Sequence, residues 1–235
     1  MINMDDVYAE TLLQYKKAKF SLMKIEKRSF AHDSAISDIV PGYSAVELEF
    51  GSYDKDNFSV LFIDMRGSTN RAKTIGPEKT FLTMHAYIPA MLEIIKYYKG
   101  VVIDIMGDGL MVFFGGKNSG MAKDIAIQKS GLCGRAMLHA RNKVVNRILK
   151  EDEINYEVDY GIGIDYGDVI VTKIGVNGIF DVKAFGDCIN TASKYSNGYN
   201  RVKVSKSIKN NWPTGENGKI TFNLDGDGYI LDKED

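Results

Sequence analysis

One short run limits what this chain can fold into. Ser59-Val60-Leu61-Phe62-Ile63 is almost continuously apolar, and it stops abruptly at Asp64. A run of this kind, without alternation, fits a strand buried on both faces. Such a strand needs cover on both sides, and its tip delivers a carboxylate to the end of a sheet.

The neighbouring segments supply the rest of that sheet. Residues 101–106 and 110–114 are rich in strand formers and flank Gly107-Asp108-Gly109. Asp-Gly accepts the positive φ angles of a tight turn, so this reads as a hairpin with a second carboxylate at its tip. Between the two, Pro77 suits the first turn of a helix whose Phe81, Met84, Ile88, Leu92 and Ile95 keep helical spacing, interrupted by Pro89 and ended at Gly100. Residues 123–149 read as a long helix through Ile127, Leu132, Met137, Val144 and Ile148. Residues 156–164 and 169–174 read as a strand pair around Tyr166-Gly167-Asp168, and a further helix begins near Asp187. Short strands at 202–204, 220–224 and 229–231 close the chain, the last two joined by Asp225-Gly226-Asp227-Gly228. Turn chemistry accounts for those two aspartates.

Ahead of this unit, residues 7–27 carry Leu12, Tyr15, Phe20 and Met23 in an amphipathic helical pattern, and 45–50 alternate like a strand after a Pro41-Gly42 turn. The reading is therefore an α+β, ferredoxin-like βαββαβ domain over 58–235 with extra C-terminal strands, preceded by an extension over 1–57 that holds the N-terminal helix. In that topology the first strand lies beside the first hairpin. Asp64 and Asp108 are expected to meet at one end of the sheet.

At 235 residues the chain can bury about 70% of its unfolded surface, so a full core is available. A net charge of −1 leaves no basic excess to neutralise a nucleic-acid backbone, which argues against nucleic acid as a partner. No window approaches the ~20 apolar residues of a membrane span, and the acidic N-terminus lacks the features of a leader, so a cytoplasmic protein without membrane association is expected. Cys133 and Cys188 show no metal-ligand spacing and suit a reducing compartment.

Asp64 is followed by Met65-Arg66-Gly67-Ser68-Thr69, where a glycine and two hydroxyl residues offer backbone amides to a phosphate. Carboxylates from two backbone segments suit Mg²⁺ or Mn²⁺, which fill their remaining positions with water and substrate phosphates. Two such ions would support phosphoryl chemistry, which needs charge and positioning more than a protein nucleophile. His32, His85 and His139 lie outside these motifs. Arg66 and Arg71 flank the phosphate stretch, and Arg71 is the favoured triphosphate contact.

In these residues the chain resembles the class III nucleotidyl cyclases. The resemblance rests on residues 60–69, on 100–114 around Gly107-Asp108-Gly109, on Tyr160-Gly161-Ile162-Gly163-Ile164 with Gly167, and on Phe185-Gly186-Asp187-Cys188-Ile189-Asn190-Thr191-Ala192-Ser193, in the family's order. It implies a head-to-tail homodimer with active sites shared between subunits. Asp64 and Asp108, helped by the Met65 carbonyl, would hold two Mn²⁺ or Mg²⁺ ions. Gly67, Ser68 and Thr69 would contact phosphates, and Asn190 would orient the ribose. Lys194 stands where the family commonly has a transition-state arginine, keeping the charge without the bidentate fork. Val102 and Lys183 stand in place of the lysine and carboxylate that read adenine.

The wording of residues 62–72, 83–86 and 106–116 further resembles the pyrimidine cyclases of bacterial anti-phage signalling. That resemblance implies a nucleoside triphosphate substrate, UTP being favoured, and a cyclic UMP product read by a separate effector protein. CTP, ATP, and nucleotide binding without turnover remain as alternatives.

Overall fold

The computed structural model describes residues 2–23, 40–41, 43, 48–177, 179–213 and 219–233. The elements run α1 (Met4–Met23), β1 (Tyr53–Met65), α2 (Ser68–Tyr97), β2 (Val101–Met106), β3 (Gly109–Gly115) and α3 (Lys123–Ala140). A π-helical stretch (Arg141–Val145) leads into α4 (Asn146–Glu151), followed by β4 (Tyr160–Val176), β5 (Ile179–Phe185) and α5 (Asp187–Tyr195). The chain finishes with β6 (Val202–Val204), α6 (Lys206–Asn210), β7 (Ile220–Asp225) and β8 (Gly228–Lys233).

The strand order is β2-β3-β1-β4-β6-β8-β7, with β5 paired to β4 off this path. Its first four strands are the expected ferredoxin-like set, with β1 between β3 and β4. Alternation along β1 divides the core in two. Leu61, Ile63 and Met65 face α2 and α3 in the larger cluster, while Phe58, Val60 and Phe62 face the opposite, outer side with Val169, Val171 and α5. Both faces are covered, as the unbroken apolar run requires.

The outer face is where glycines matter. Gly161, Gly163 and Gly167 share that side of β4, and α5 lies on them at backbone contact. A Cβ at Gly163 would stand 2.0 Å from the Ala192 carbonyl oxygen, and one at Gly161 would stand 2.2 Å from the carbonyl oxygens of Ser196 and Gly198. The repeated glycines are thus the floor of a helix. This corrects the expected turn at Tyr166-Gly167-Asp168: β4 runs through it as one strand, and the chain reverses beyond Val176 instead. Gly167 is there because Cys188 packs above it, 3.1 Å from where a Cβ would be.

Other boundaries shift for local reasons. β1 begins at Tyr53, before the expected strand at Ser59, because its first residues pair with 168–172 of the long β4. α2 starts at Ser68 rather than at Pro77, and is broken at Gly76, whose φ of 81° and ψ of 171° lie outside helical values. The expected 123–149 helix is interrupted by the π-helical stretch. α1 docks on α2 and the π-helical stretch, held by Tyr15, which donates to Asp152 at 2.7 Å, and by the Lys19–Asp152 ion pair. Residues 24–27 of the expected N-terminal helix, Gly42 and 45–47 of the expected strand, and His32 lie outside the described residues. Among the described residues no helix is long and apolar enough to cross a membrane.

Candidate active site

Asp64 ends the outer-facing series of β1 and pairs with Gly109 on one side and Gly161 on the other. Neither neighbour has a side chain: the space over Gly161 is taken by the Ser196 and Gly198 carbonyls, and that over Gly109 borders Asp64 Oδ1, 3.4 Å from where a Cβ would be. Asp108 occupies the β2–β3 turn immediately before Gly109. The two carboxylates therefore sit at one end of the sheet, Asp64 on β1 and Asp108 in the turn that opens the adjacent β3, as their places in the sequence predicted.

Their surroundings differ. Asp64 Oδ2 is paired with the Arg66 guanidinium, whose Nε and Nη2 also donate to the Asp64 carbonyl at 3.3 Å. Arg66 Nη1 reaches the Asn197 side-chain oxygen at 3.5 Å. Asp108 Oδ2, by contrast, is buried without a hydrogen-bond partner, and the same holds for Arg71 Nε and the Tyr87 hydroxyl. Burial pushes the Tyr87 hydroxyl well above its ordinary pKa, with Tyr160 and Asp108 adding to the rise and Arg66 opposing it. Burial lowers the Arg71 pKa, opposed by Tyr156, Asp159 and Asp108. Unpartnered buried polar atoms are uncommon, and a bare carboxylate oxygen of this kind is one that a bound cation would complete.

Beside the carboxylates, Gly67 takes a left-handed conformation (φ 68°) and caps α2, its carbonyl accepting from the Arg71 amide at 2.9 Å. No side chain caps this end, so the first amides of the helix remain available to an anion at its positive pole. Thr69 is exposed and Ser68 half-buried here. Met65 buries its side chain in the inner core.

Two expected contacts are corrected. Arg71 is only 2% exposed; it donates to the Tyr156 carbonyl at 3.1 Å and the Glu157 carbonyl at 2.9 Å, with the Tyr156 ring 4.5 Å away. It braces α2 against residues 156–157 instead of reaching a triphosphate. Val102 pairs with Val112 and packs into the inner cluster, on the wrong face to meet a base. A bulge between Val102 and Asp104 resets the alternation, so that Asp104 pairs with Met111 on the face of Phe62 and Asp64. Asp104, Tyr87 and the Arg66–Asp64 pair are the site features that sequence reasoning missed. A polar residue within an apolar strand was the available signal for Asp104.

The later motif lies on α5 and β5. Asn190 is exposed on α5 between Cys188, which packs on Gly167, and Ala192, which packs on Gly163. Lys194 is likewise exposed on α5. Lys183 pairs with Thr172, itself opposite Tyr53 at the far end of β1, and bonds Asp181 at 2.7 Å. Within one chain β1 separates Lys183 from Asp64.

Among the described residues no group of three or more His, Cys, Asp or Glu side chains forms a metal cage. The fit for a divalent ion comes instead from two carboxylates of unlike environment, one with a bare buried oxygen, next to backbone donors for phosphate. This suits an ion that completes its shell with substrate and water.

The profile of the adenylate and guanylate cyclase catalytic domain matches residues 50–227. A uridylate cyclase of Gulbenkiania mobilis is 33% identical over 165 residues, covering 67% of this chain and 62% of that protein. A cytidylate cyclase of Staphylococcus aureus is 28% identical over 153 residues, covering 63% of this chain and 36% of that one. The chain thus spans less than two thirds of the length of these relatives. Among solved structures, an adenylyl cyclase from P. aeruginosa superposes with a TM-score of 0.67 at 20% identity, covering 78% of this chain and 96% of that chain, a likeness of fold.

Proposed function

The chain belongs to the adenylate and guanylate cyclase catalytic-domain family, and from that membership we propose that it is a pyrimidine nucleotide cyclase converting UTP to 3′,5′-cyclic UMP and pyrophosphate. The observation that carries the reading is the meeting of Asp64 and Asp108 beside the uncapped start of α2. The uridylate cyclase relative supports UTP. CTP is the second reading, supported by the cytidylate cyclase relative.

Asp64, Asp108 and the Met65 carbonyl would hold Mn²⁺ or Mg²⁺. When bound, such ions supply Lewis-acid activation of the ribose 3′-hydroxyl and neutralise charge on the leaving phosphates. The amides of Ser68 and Thr69, following Gly67, receive the phosphates at the positive end of α2. The 3′-oxygen bonds to the α-phosphorus as the bond to the β-phosphate oxygen breaks, and the hydroxyl proton passes to solvent. Asp104, not Val102, is the β2 side chain offered to the base, an acceptor for the N3–H of uracil or the amino group of cytosine.

Lys183 lies at the far end of β1 from Asp64, and a head-to-tail homodimer would let the partner supply it to the base, with Asn190 to the ribose and Lys194 to the developing charge. The catalytic unit is drawn over 58–235, with the preceding extension packed on it through α1. The cyclic product would act on a separate effector in anti-phage defence.

The test is incubation of the purified chain with UTP, CTP, ATP and GTP separately in Mn²⁺, with products identified by mass. Cyclic UMP as the main product is expected. Cyclic CMP transfers the reading to CTP, cyclic AMP overturns the pyrimidine reading, and nucleotide binding without any product supports a non-catalytic module.

A further inference from the structure

Arg66 sits where a divalent ion would need to act. Its guanidinium occupies Asp64 Oδ2, grips the carbonyl of the same residue and reaches Asn197. The Arg66 side chain is only 14% exposed against 39% for Asp64, so the cation is tucked under the carboxylate instead of waving in solvent. Asp108 carries no such partner on its buried oxygen. Each carboxylate of the pair thus meets an incoming ion on different terms.

We propose that Arg66 is an internal counter-ion of Asp64 that a divalent ion must displace, so that metal loading depends on a triphosphate arriving to take the guanidinium. This rests on the two-carboxylate reading above. A carboxylate oxygen engaged by a guanidinium is a poor ligand, and a dication brought beside that guanidinium is repelled. The exit route is short. Arg66 is fixed by its backbone, whose amide donates to the Asp159 carbonyl at 2.7 Å, so its side chain can turn while the loop stays in place. The next residues, Gly67 to Thr69, form the anion-receiving end of α2. Phosphate oxygens held there offer the planar fork a bidentate partner of higher charge than one carboxylate. Transfer of Arg66 from Asp64 to phosphate frees the carboxylate for the ion. Nucleotide and metal then strengthen each other's binding by the same factor.

The test follows Mn²⁺ binding to the full chain by the electron paramagnetic resonance signal of free Mn²⁺, without nucleotide. Arg66→Gln is expected to bind at least about fivefold more tightly than wild type, the size of a partly buried ion pair. Arg66→Lys, which keeps the charge without the fork, should fall between them. At saturating Mn²⁺, 3′-deoxyuridine triphosphate, which cannot cyclise, should bind Arg66→Gln several-fold more weakly than wild type. Arg66→Gln binding Mn²⁺ no more tightly than wild type, with unchanged circular dichroism, overturns the counter-ion while leaving the carboxylate reading standing. Asp64→Asn separates the two: if it binds Mn²⁺ as wild type does, Asp64 is not a ligand and both fall.

Discussion

Arg71 and Tyr156 are joined twice, by a 3.1 Å hydrogen bond from the guanidinium to the Tyr156 carbonyl and by the stacking of the guanidinium over its ring at 4.5 Å. With the bond to the Glu157 carbonyl, this pins the first turns of α2 to the segment preceding β4. Arg66 ties to the same region through the Asp159 carbonyl. Arg71→Ala strands two carbonyls and empties a large buried volume. A loss of about 3 kcal/mol in urea unfolding is expected. Arg71→Lys should recover little, because one ammonium cannot reproduce the fork. A surface-like loss below about 0.5 kcal/mol would refute the bracing role.

Asp108→Asn tests the bare oxygen. With 3′-deoxyuridine triphosphate present, wild type should show a Mn²⁺-dependent rise in melting temperature, equivalent to about 2.7 kcal/mol at a hundredfold excess over Kd. The variant should show almost none. Cyclase activity should fall at least about 100-fold, since even groups behind metal ligands cost up to that much. An undiminished thermal shift in the variant would remove Asp108 from the metal site.

Asp165 gives a pH dependence of defined sign. Burial beneath α5 raises its pKa above 3.8, only partly offset by donation from Ser205 and the Tyr166 amide. The folded state holds this proton more tightly than the unfolded chain. Its ionisation therefore costs stability as pH rises from the unfolded pKa through the folded one, and the cost persists at neutral pH. Asp165→Asn, which keeps the acceptor, should be more stable than wild type at pH 7, and the difference should shrink toward pH 4. Parallel stability curves of variant and wild type would contradict this.

Gly163→Ala places a Cβ against backbone atoms of α5, the Ala192 carbonyl oxygen and the Ser196 nitrogen at 2.0 and 2.5 Å. Because backbone must move, a loss of about 3 kcal/mol is expected by thermal unfolding. Displacement of α5 would carry Asn190 with it, so activity should fall as well. Wild-type stability in this variant would mean α5 does not lie on β4 as described.

The meeting of Asp64 and Asp108 was legible because each marks a boundary that local chemistry writes plainly: the end of an unbroken apolar run, and an Asp-Gly turn. Side-chain direction was less so. The bulge after Val102 inserts one residue that no pattern announces, and counting in twos across it lands on the wrong face. Arg71 reads as a loop cation in sequence, yet tertiary contacts with a segment 85 residues away bury it. Gly167 suggested a turn because glycine relaxes the backbone, whereas its use here is to let a helix approach. One residue type serves both ends, and only the packing partner decides between them.

The break at Gly76 divides α2 into two rods with separate axes, a short one bearing the anion-receiving end and a long one from Pro77 sunk into the core. No continuous helical ladder crosses that joint, and the short rod is tied through Arg71 to residues 156–157. Its attitude is therefore set by the segment preceding β4, and the buried rod answers to the sheet it covers.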